Sequence, residues 1–246
     1  MGVILLGTGK APNPNDPIEN EPMYPLGPND YAHRYAAERL TGGNGTAVSS
    51  WPDLVGSGRI DMQLSGATGQ FVLATDTGEK VVVLSPTSGI DRKLTANGVA
   101  ATGTPGTIAM VVRVDPGNSV SGSRRFASGW GARLEKAANH NYQYTGSGGG
   151  MFTGGALDSW AVVIFETDGT SPMTSGKVLL NVNGAETTTL TGPITASAAY
   201  PTLSLQMNAG TPAECRYAEV VHWNRQLNAS ERAQVLAAMQ NRYAFI

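Results

Sequence analysis

Short apolar runs separated by turn residues are the feature that most constrains this chain. From about residue 70 onward, apolar segments recur between Gly, Pro, Asn, Ser and Thr. Runs of this length and spacing are typical of β-strands, whereas a helix needs a longer periodic segment. The predicted strands are 70–74, 80–84, 107–114, 160–165, 178–182, 187–190 and 202–207. The sequence therefore predicts an all-β fold.

Three of these segments carry further detail. The 107–114 run is almost continuously apolar, which favours a strand buried on both faces. Leu203 and Leu205 alternate with polar residues, which predicts a strand with one wet face. Asn183-Gly184 separates two runs and indicates a β-hairpin, because this dipeptide tolerates the positive φ angles of a type I′ turn.

The C-terminal segment has a helical pattern instead. Asn228 stands three residues before Glu231, as in a capping box. Val235, Leu236, Met239 and Tyr243 then fall on one helical face. We expect a single helix at about 228–243, packed on the β-rich body.

Residues 1–33 differ from the remainder of the chain, 34–246. Their prolines exclude a regular helix or a central strand, because proline lacks an N–H and fixes φ. The sequence predicts an extended N-terminal arm that packs against its own domain or against a neighbour. Its candidate contact residues are Leu5, Leu6, Ile18, Met23, Tyr24 and Leu26.

Composition narrows the function classes. Net charge is −2 and no basic stripe is present, so nucleic-acid binding is not expected. No apolar run is long enough to span a bilayer, and the N-terminus lacks the basic region of a secretory signal, so we expect synthesis in a cytoplasm. The one cysteine, Cys215, excludes an internal disulfide and is interpreted as a small buried hydrophobe.

Three stretches, 48–58, 160–184 and 218–232, together resemble the concanavalin A-like, laminin-G-like domain family. They are the Val-Ser-Ser-Trp-Pro-Asp segment, the Trp strand leading to Val-Asn-Gly, and the Ala-Glu-Val-Val-His-Trp-Asn-Arg segment before the helix. Val55 departs from the family's usual serine. The three lie in family order and cover roughly 34–246. The resemblance implies a concanavalin A-like jelly-roll β-sandwich in which Trp51, Trp160 and Trp223 are core residues.

Catalytic chemistry is weakly supported. Glycosidases that share this fold place carboxylates in a motif close to E-x-D-x-x-E, and only Glu166 and Asp168 come near it. The third carboxylate is missing, which favours a solvated strand end, so no catalytic residue is predicted. His33, His140 and His222 form no metal motif, and His33 and His222 are not expected to act together. Glu219 and His222 should lie on opposite strand faces.

Two ligand classes are considered. The resemblance makes calcium a candidate at Asp53, Asp61 and Asp168, although aspartates that cap their own turns are favoured and no cofactor is expected. Sugar recognition usually needs aromatic rings beside short polar groups. The candidate glycan-binding residues are Trp130, His140, Tyr142 and Tyr144, with tyrosines packed in the core as the alternative.

Chains of this kind with a Pro/Asn-rich leader also resemble structural proteins of tailed-phage virions. We therefore interpret the chain first as a non-enzymatic virion protein, a capsid decoration, tail or baseplate component. Its arm would bind other virion proteins, and it is expected to form a homo-oligomer. The alternative is a carbohydrate- or receptor-binding module with a cell-surface glycan as partner. A glycoside hydrolase is the third hypothesis.

Overall fold

The structure is a computed structural model. It describes residues 32–55, 58–65, 71–84, 92–100, 103–114, 124–130, 132–136, 142–146, 149–152, 160–170, 173, 176–180, 185–187, 194–195, 202–207, 214–243 and 245–246. Within these ranges, some strand residues, including all of 142–146, are described by their backbone alone. The predicted arm, apart from its last two residues, lies outside the described residues.

The described residues contain sixteen strands, one short 3-10 turn at Ala37–Arg39 and one α-helix. In chain order they are β1 (His33–Ala36), β2 (Ser50–Trp51), β3 (Met62–Ser65), β4 (Phe71–Asp76), β5 (Glu79–Leu84), β6 (Arg92–Ala96), β7 (Gly106–Val114), β8 (Arg124–Gly129), β9 (Ala132–Lys136), β10 (Tyr142–Gly146), β11 (Gly149–Phe152), β12 (Ala161–Thr167), β13 (Gly176–Leu180), β14 (Ala185–Thr187), β15 (Leu203–Met207), β16 (Cys215–Trp223) and α1 (Ala229–Arg242).

The strands form two antiparallel sheets of eight strands each. The first, here called the helix-side sheet, has the order β14-β13-β12-β7-β16-β5-β4, and β1 pairs with the second half of β16. The second, here called the opposite sheet, has the order β11-β10-β9-β8-β15-β6-β3-β2. The prediction of an all-β sandwich with one C-terminal helix is confirmed.

The main core lies between the two sheets. Trp51 and Phe126 come from the opposite sheet, and Phe165 and Tyr217 come from the helix-side sheet. The Tyr217 hydroxyl donates to the backbone oxygen of Phe126 at 2.6 Å, which satisfies a buried polar group across the core. Cys215 is fully buried at the start of its strand, as predicted.

A second apolar cluster covers the outer face of the helix-side sheet. Val111, Val162 and Trp223 pack there with Val235 and Met239 of α1. The continuous apolar runs of β7 and β12 are therefore buried on both faces, as the 107–114 run predicted. No helix in the described part of the chain is both long and apolar enough to cross a bilayer.

The N-terminus of α1 is as predicted. The Asn228 side chain accepts from the backbone N–H of Glu231 at 3.0 Å, and Glu231 accepts from the backbone N–H of Asn228 at 2.7 Å. This reciprocal pair is the capping box. It fixes where the chain leaves β16 and turns back over the sheet.

Two sequence expectations differ from the structure. The hairpin pairs β13 with β14, but its second strand begins at Ala185, two residues before the predicted start, and Asn183-Gly184 lies outside the described residues. Leu203 and Leu205 point into the core as expected. However, Ser204 is only 5% exposed, so the predicted wet face of β15 is wrong at this residue.

Candidate functional site

A cleft of about 330 Å³ opens at one side edge of the sandwich. Exposed or half-buried polar residues line it, and Val48 and Leu73 close its floor. The polar lining residues are Arg39, Thr41, Thr46, Ser49 and Ser50. A volume of this size lies at the lower end of the roughly 300–1,000 Å³ found for small-molecule sites.

The cleft exists because the chain crosses from one sheet to the other at this edge. Ala47 forms an isolated bridge with Val72 of β4, at the edge of the helix-side sheet. A few residues later, Ser50 pairs with Gln63 of β3 in the opposite sheet. The crossing segment spans the gap between the two edge strands and so forms one wall of the cleft.

A glycine-rich turn shapes the mouth of the cleft. Gly42 has φ +118, and a Cβ atom there would lie 2.6 Å from the Thr46 hydroxyl oxygen. Only glycine therefore allows the turn to close this tightly. The turn brings Thr41 and Thr46 to the same opening.

Charge at the cleft is positive. Arg39 is the one charged residue in the lining, and its Nε lies 3.8 Å from Oε1 of Glu38. Glu38 also receives the guanidinium of Arg242. Lys80 donates to the backbone oxygen of Leu40 at 2.6 Å, which places a second cation beside the cleft.

A line of polar residues leads away from the cleft across the opposite sheet. In β2, β3, β6, β15, β8 and β9, successive cross-strand partners are Ser50, Gln63, Thr95, Ser204, Ser128 and Arg133. We call this line the polar row. The Gln63 amide donates to the Ser50 hydroxyl at 3.0 Å, and the Thr95 and Ser204 hydroxyls lie 3.1 Å apart.

The polar row lies on the outer face of the opposite sheet. Leu94 and Ala96, which flank Thr95, belong to the core, so Thr95 points the other way. Exposure varies along the row: Gln63 is exposed and Thr95 is half-buried, Ser128 is 1% exposed, and the Arg133 side chain at the far end is 36% exposed. The accessible part of the row that continues from the cleft therefore consists of Gln63 and Thr95.

Trp130, predicted to bind a glycan, is placed in the core. It is 4% exposed and packs in the inter-sheet cluster, so its ring does not face solvent and the prediction is corrected for this residue. Its backbone has φ +49, a strained value for a bulky residue. A Cβ atom on Gly106 would lie 2.3 Å from the Trp130 ring, so the indole depends on that glycine.

The other three predicted glycan contacts stay predictions. Tyr142 and Tyr144 lie on β10, but their side chains are outside the described part of the structure, as is all of His140. In the register of β10 with β9, Tyr144 pairs with the core residue Leu134, and Thr145 pairs with Arg133 of the polar row. The arm residues Leu5, Leu6, Ile18, Met23, Tyr24 and Leu26 also lie outside the described residues.

His33 and His222 are brought together, contrary to the sequence expectation. They are direct partners where β1 pairs with β16, and their rings stack with centroids 5.7 Å apart. Within the part of the chain that the structure describes, neither ring nitrogen of His222 has a hydrogen-bond partner. Burial, and then the neighbouring His33, lowers the pKa of His222 from 6.5 to about 3. His222 is thus neutral, and the contact is a packing arrangement.

Glu219 lies on the other face of β16, as predicted, and binds Arg34 at 2.6 Å.

The predicted aspartates do not fit a calcium ion. Both oxygens of Asp53 accept N–H groups: the His33 ring at 2.7 Å, and backbone N–H groups of Arg34 and Ile60 at 3.0 Å. Asp61 accepts from Arg59 at 2.6 Å. Asp168 caps its own turn through the Thr170 backbone N–H at 3.0 Å. Within the described residues, no cluster of His, Cys, Asp and Glu could hold a metal ion.

Glu166, the other half of the weak acid pair, joins the helix to the sheet. It is 2% exposed. Its carboxylate accepts from the Leu227 backbone N–H at 2.9 Å and from Arg232 of α1 at 3.1 Å. These bonds direct the carboxylate toward the helix N-terminus and away from solvent. A substrate cannot reach it in this arrangement.

Sequence reasoning missed the cleft. Apart from Leu73, its lining comes from 39–52, a segment that contains the glycine- and hydroxyl-rich run Thr-Gly-Gly-Asn-Gly-Thr-Ala-Val-Ser-Ser. That ten-residue run predicts a loop, and the run itself contains no aromatic residue that would suggest a binding site. The useful signal was the density of short hydroxyl residues immediately before a buried tryptophan.

Comparison with protein-family models gave no match, and neither did comparison of the sequence with curated proteins. Solved structures do match. The receptor-binding domain of botulinum neurotoxin type G superposes with a TM-score of 0.57 and 10% identity over 86% of this chain. The serotype D ligand-binding domain in complex with N-acetylneuraminic acid has a TM-score of 0.56 and 11% identity over 86% of this chain. The Trypanosoma rangeli sialidase in complex with sialic acid has a TM-score of 0.54 and 14% identity over 85%.

The chain spans about half of each neurotoxin domain (52% and 51%) and 33% of the sialidase chain. At these identities the likeness shows the fold, a jelly-roll-like β-sandwich.

Proposed function

We propose that this protein is a carbohydrate-binding module and that the cleft is its binding site. The observation that carries the proposal is a solvent-open cleft lined by four serine and threonine residues and one arginine. Hydroxyl and guanidinium groups are suited to the hydroxyl and ring oxygens of sugars, and the apolar floor suits a sugar's C–H face. The serotype D neurotoxin domain in complex with N-acetylneuraminic acid and the sialidase in complex with sialic acid support this proposal over a purely structural role.

The proposal is tested on a glycan array with the full chain and a cleft-filling variant. Ser49 is exposed and lines the cleft, so Ser49→Trp should fill it and reduce array binding at least tenfold. Ser230→Trp, at an exposed serine of α1, is the matched control and should bind like the natural chain. Failure of the full chain to bind any glycan would contradict the proposal.

The same array distinguishes glycan binding in the cleft from glycan binding at the predicted aromatic residues of β10, Tyr142 and Tyr144. If the cleft is the site, Tyr142→Ala and Tyr144→Ala leave binding unchanged while Ser49→Trp removes it. The reverse result would assign binding to β10 and reject the cleft. Intact folding of each variant is checked by its thermal unfolding midpoint.

The second candidate function is a virion structural role in a tailed phage, with the arm as its anchor. The proline-rich composition of residues 1–33 favours it. β1 begins at the end of that segment and pairs with β16 of the helix-side sheet. A force applied to the arm would therefore be transmitted to the sheet. One protein can perform both functions, because the arm would attach it to the particle and the sandwich would bind the glycan. Deletion of residues 1–31 should abolish incorporation into particles and leave glycan binding intact, and unchanged incorporation would remove the arm hypothesis.

A further inference from the structure

We infer that the ligand is an acidic oligosaccharide, bound with one carboxylated unit in the cleft and the following units along the accessible part of the polar row. The inference rests on the proposed function and specifies its ligand. Three features of the described residues carry it: the cleft and the row are continuous, the row is long, and the surrounding charge is positive.

The continuity comes from Ser50. This residue lines the cleft and is also the first member of the polar row. Its hydroxyl accepts the Gln63 amide at 3.0 Å, so the next polar group follows directly. Gln63 and Thr95 are accessible, and a ligand that leaves the cleft at Ser50 therefore meets further hydrogen-bonding groups.

The length of the row favours a chain over a single sugar. Adjacent strands of a sheet are about 4.8 Å apart, so Thr95 lies roughly 10 Å beyond Ser50. One sugar unit spans about one such strand spacing, and the accessible row therefore accommodates about two units beyond the cleft. The next two members of the row past Thr95 are buried, since Ser204 is 5% exposed and Ser128 is 1% exposed. The affinity should therefore stop rising with the length of the oligosaccharide at about three units.

Charge selects an acidic ligand. Arg39 lines the cleft, and its Nε lies 3.8 Å from Oε1 of Glu38, but the Glu38 carboxylate also receives Arg242, so one negative charge faces two guanidinium groups. Lys93, half-buried, stands two residues from Thr95 on the same face of β6. Strands β2, β3 and β6 contain no carboxylate. Asp61, just before β3, is held by Arg59 at 2.6 Å, so this pair adds little net charge. A sugar carboxylate beside Arg39 would form a charge-assisted hydrogen bond.

The test measures affinity against chain length and charge with the full-length protein. The probes are N-acetylneuraminic acid, its linear dimer, trimer and tetramer, and maltotriose as a neutral trimer, titrated by isothermal calorimetry. We expect affinity to rise at least tenfold from monomer to trimer and then to level off at the tetramer. The neutral trimer should bind at least tenfold more weakly than the acidic trimer.

Substitutions at two positions identify the residues responsible for the chain-length effect and for the charge preference. Thr95→Val keeps the side-chain shape and removes the hydroxyl, so it should reduce trimer affinity and leave monomer affinity unchanged. Thr195→Val, at an exposed threonine outside the cleft and the polar row, is the matched control. Arg39→Gln should weaken every acidic probe, and Arg39→Lys, which keeps the charge, should restore part of that loss.

The outcomes separate this inference from the proposed function. Monomer and trimer binding equally well would overturn the extended site, and equal binding of the neutral and acidic trimers would overturn the charge preference. In both cases the cleft would remain a glycan site. Absence of binding to every glycan on the array would instead remove the proposed function itself.

Discussion

The outer faces of the two sheets are built on opposite principles. On the helix-side sheet, Val111, Val162 and Trp223 lie under α1 and are withdrawn from water. On the opposite sheet, Gln63 and Thr95 belong to a row of polar residues, and no helix of the described part covers them. Both inner faces are apolar and share one core. Apolar burial, which supplies most of the stability, is therefore concentrated in the core and under α1. The outer face of the opposite sheet is left available for binding a ligand.

The buried polar groups differ in the same way. On the helix side, Glu166 is enclosed by donors from the chain segment before α1 and from α1 itself. On the opposite sheet, the buried Ser128 hydroxyl has no hydrogen-bond partner among the described residues. A satisfied buried group costs little, whereas an unsatisfied one retains its desolvation penalty. This difference predicts opposite responses to substitution on the two sheets.

The largest effect is expected for Glu166→Gln. The amide keeps the shape of the side chain but removes the negative charge that faces Arg232, whose side chain is 4% exposed. Breaking one partner of a buried ion pair costs about 3–5 kcal/mol in the free energy of unfolding. Urea denaturation measures the change. Thr95→Val on the opposite sheet should cost less than about 1 kcal/mol, and a similar loss in both variants would contradict the asymmetry.

A pH-dependent effect of intermediate size is expected from His222. Its pKa is about 3 in the folded chain and 6.5 in its ordinary state, so the unfolded chain binds the proton more readily. Above pH 6.5 both states are neutral and no penalty exists. As pH falls from 6.5 toward 3, the unfolded state is favoured by up to about 1.4 kcal/mol per pH unit.

His222→Phe tests that slope, because phenylalanine keeps an aromatic ring beside His33 and Trp130 and does not titrate. Other groups also titrate in this range, so the informative quantity is the difference between the variant and the natural chain. The variant should lose about 2–3 kcal/mol less stability between pH 6.5 and 4.5. Parallel stability curves for the two proteins would show that His222 does not supply the slope.

The elements that local sequence determines were predictable. Most of the strand runs, the capping box at Asn228 and the buried tryptophans follow from periodicity, turn chemistry and the family resemblance, and the structure confirms them. The predicted strand 187–190 is the exception, since β14 is Ala185–Thr187 and 188–190 lie outside the described residues. Strand parity also placed Glu219 and His222 on opposite faces, because side-chain alternation is a property of the strand alone.

The arrangements that depend on strand pairing were not predictable. His33 meets His222 only because β1 pairs with β16, a contact between residues far apart in sequence. Trp130 is one of the predicted glycan-binding residues, yet the sheet turns its ring inward over Gly106. The polar row likewise requires the register of six strands that are not consecutive in the chain. Pattern reasoning on one segment at a time contains no information about such partners.

The smallest expected effect is a gain, from Ser128→Ala. The Ser128 hydroxyl is buried on the outer face of the opposite sheet and makes no hydrogen bond, so removing it eliminates a desolvated polar group at almost no loss of packing. The free energy of unfolding should rise by up to about 1 kcal/mol in urea denaturation. Ser204→Ala on the neighbouring strand is the matched control, since the Ser204 hydroxyl has Thr95 as a partner at 3.1 Å and its loss should be neutral or slightly destabilising. A loss of stability in Ser128→Ala would mean that this hydroxyl is satisfied in solution, and the contrast between the two sheets would then rest on Glu166 and the helix alone.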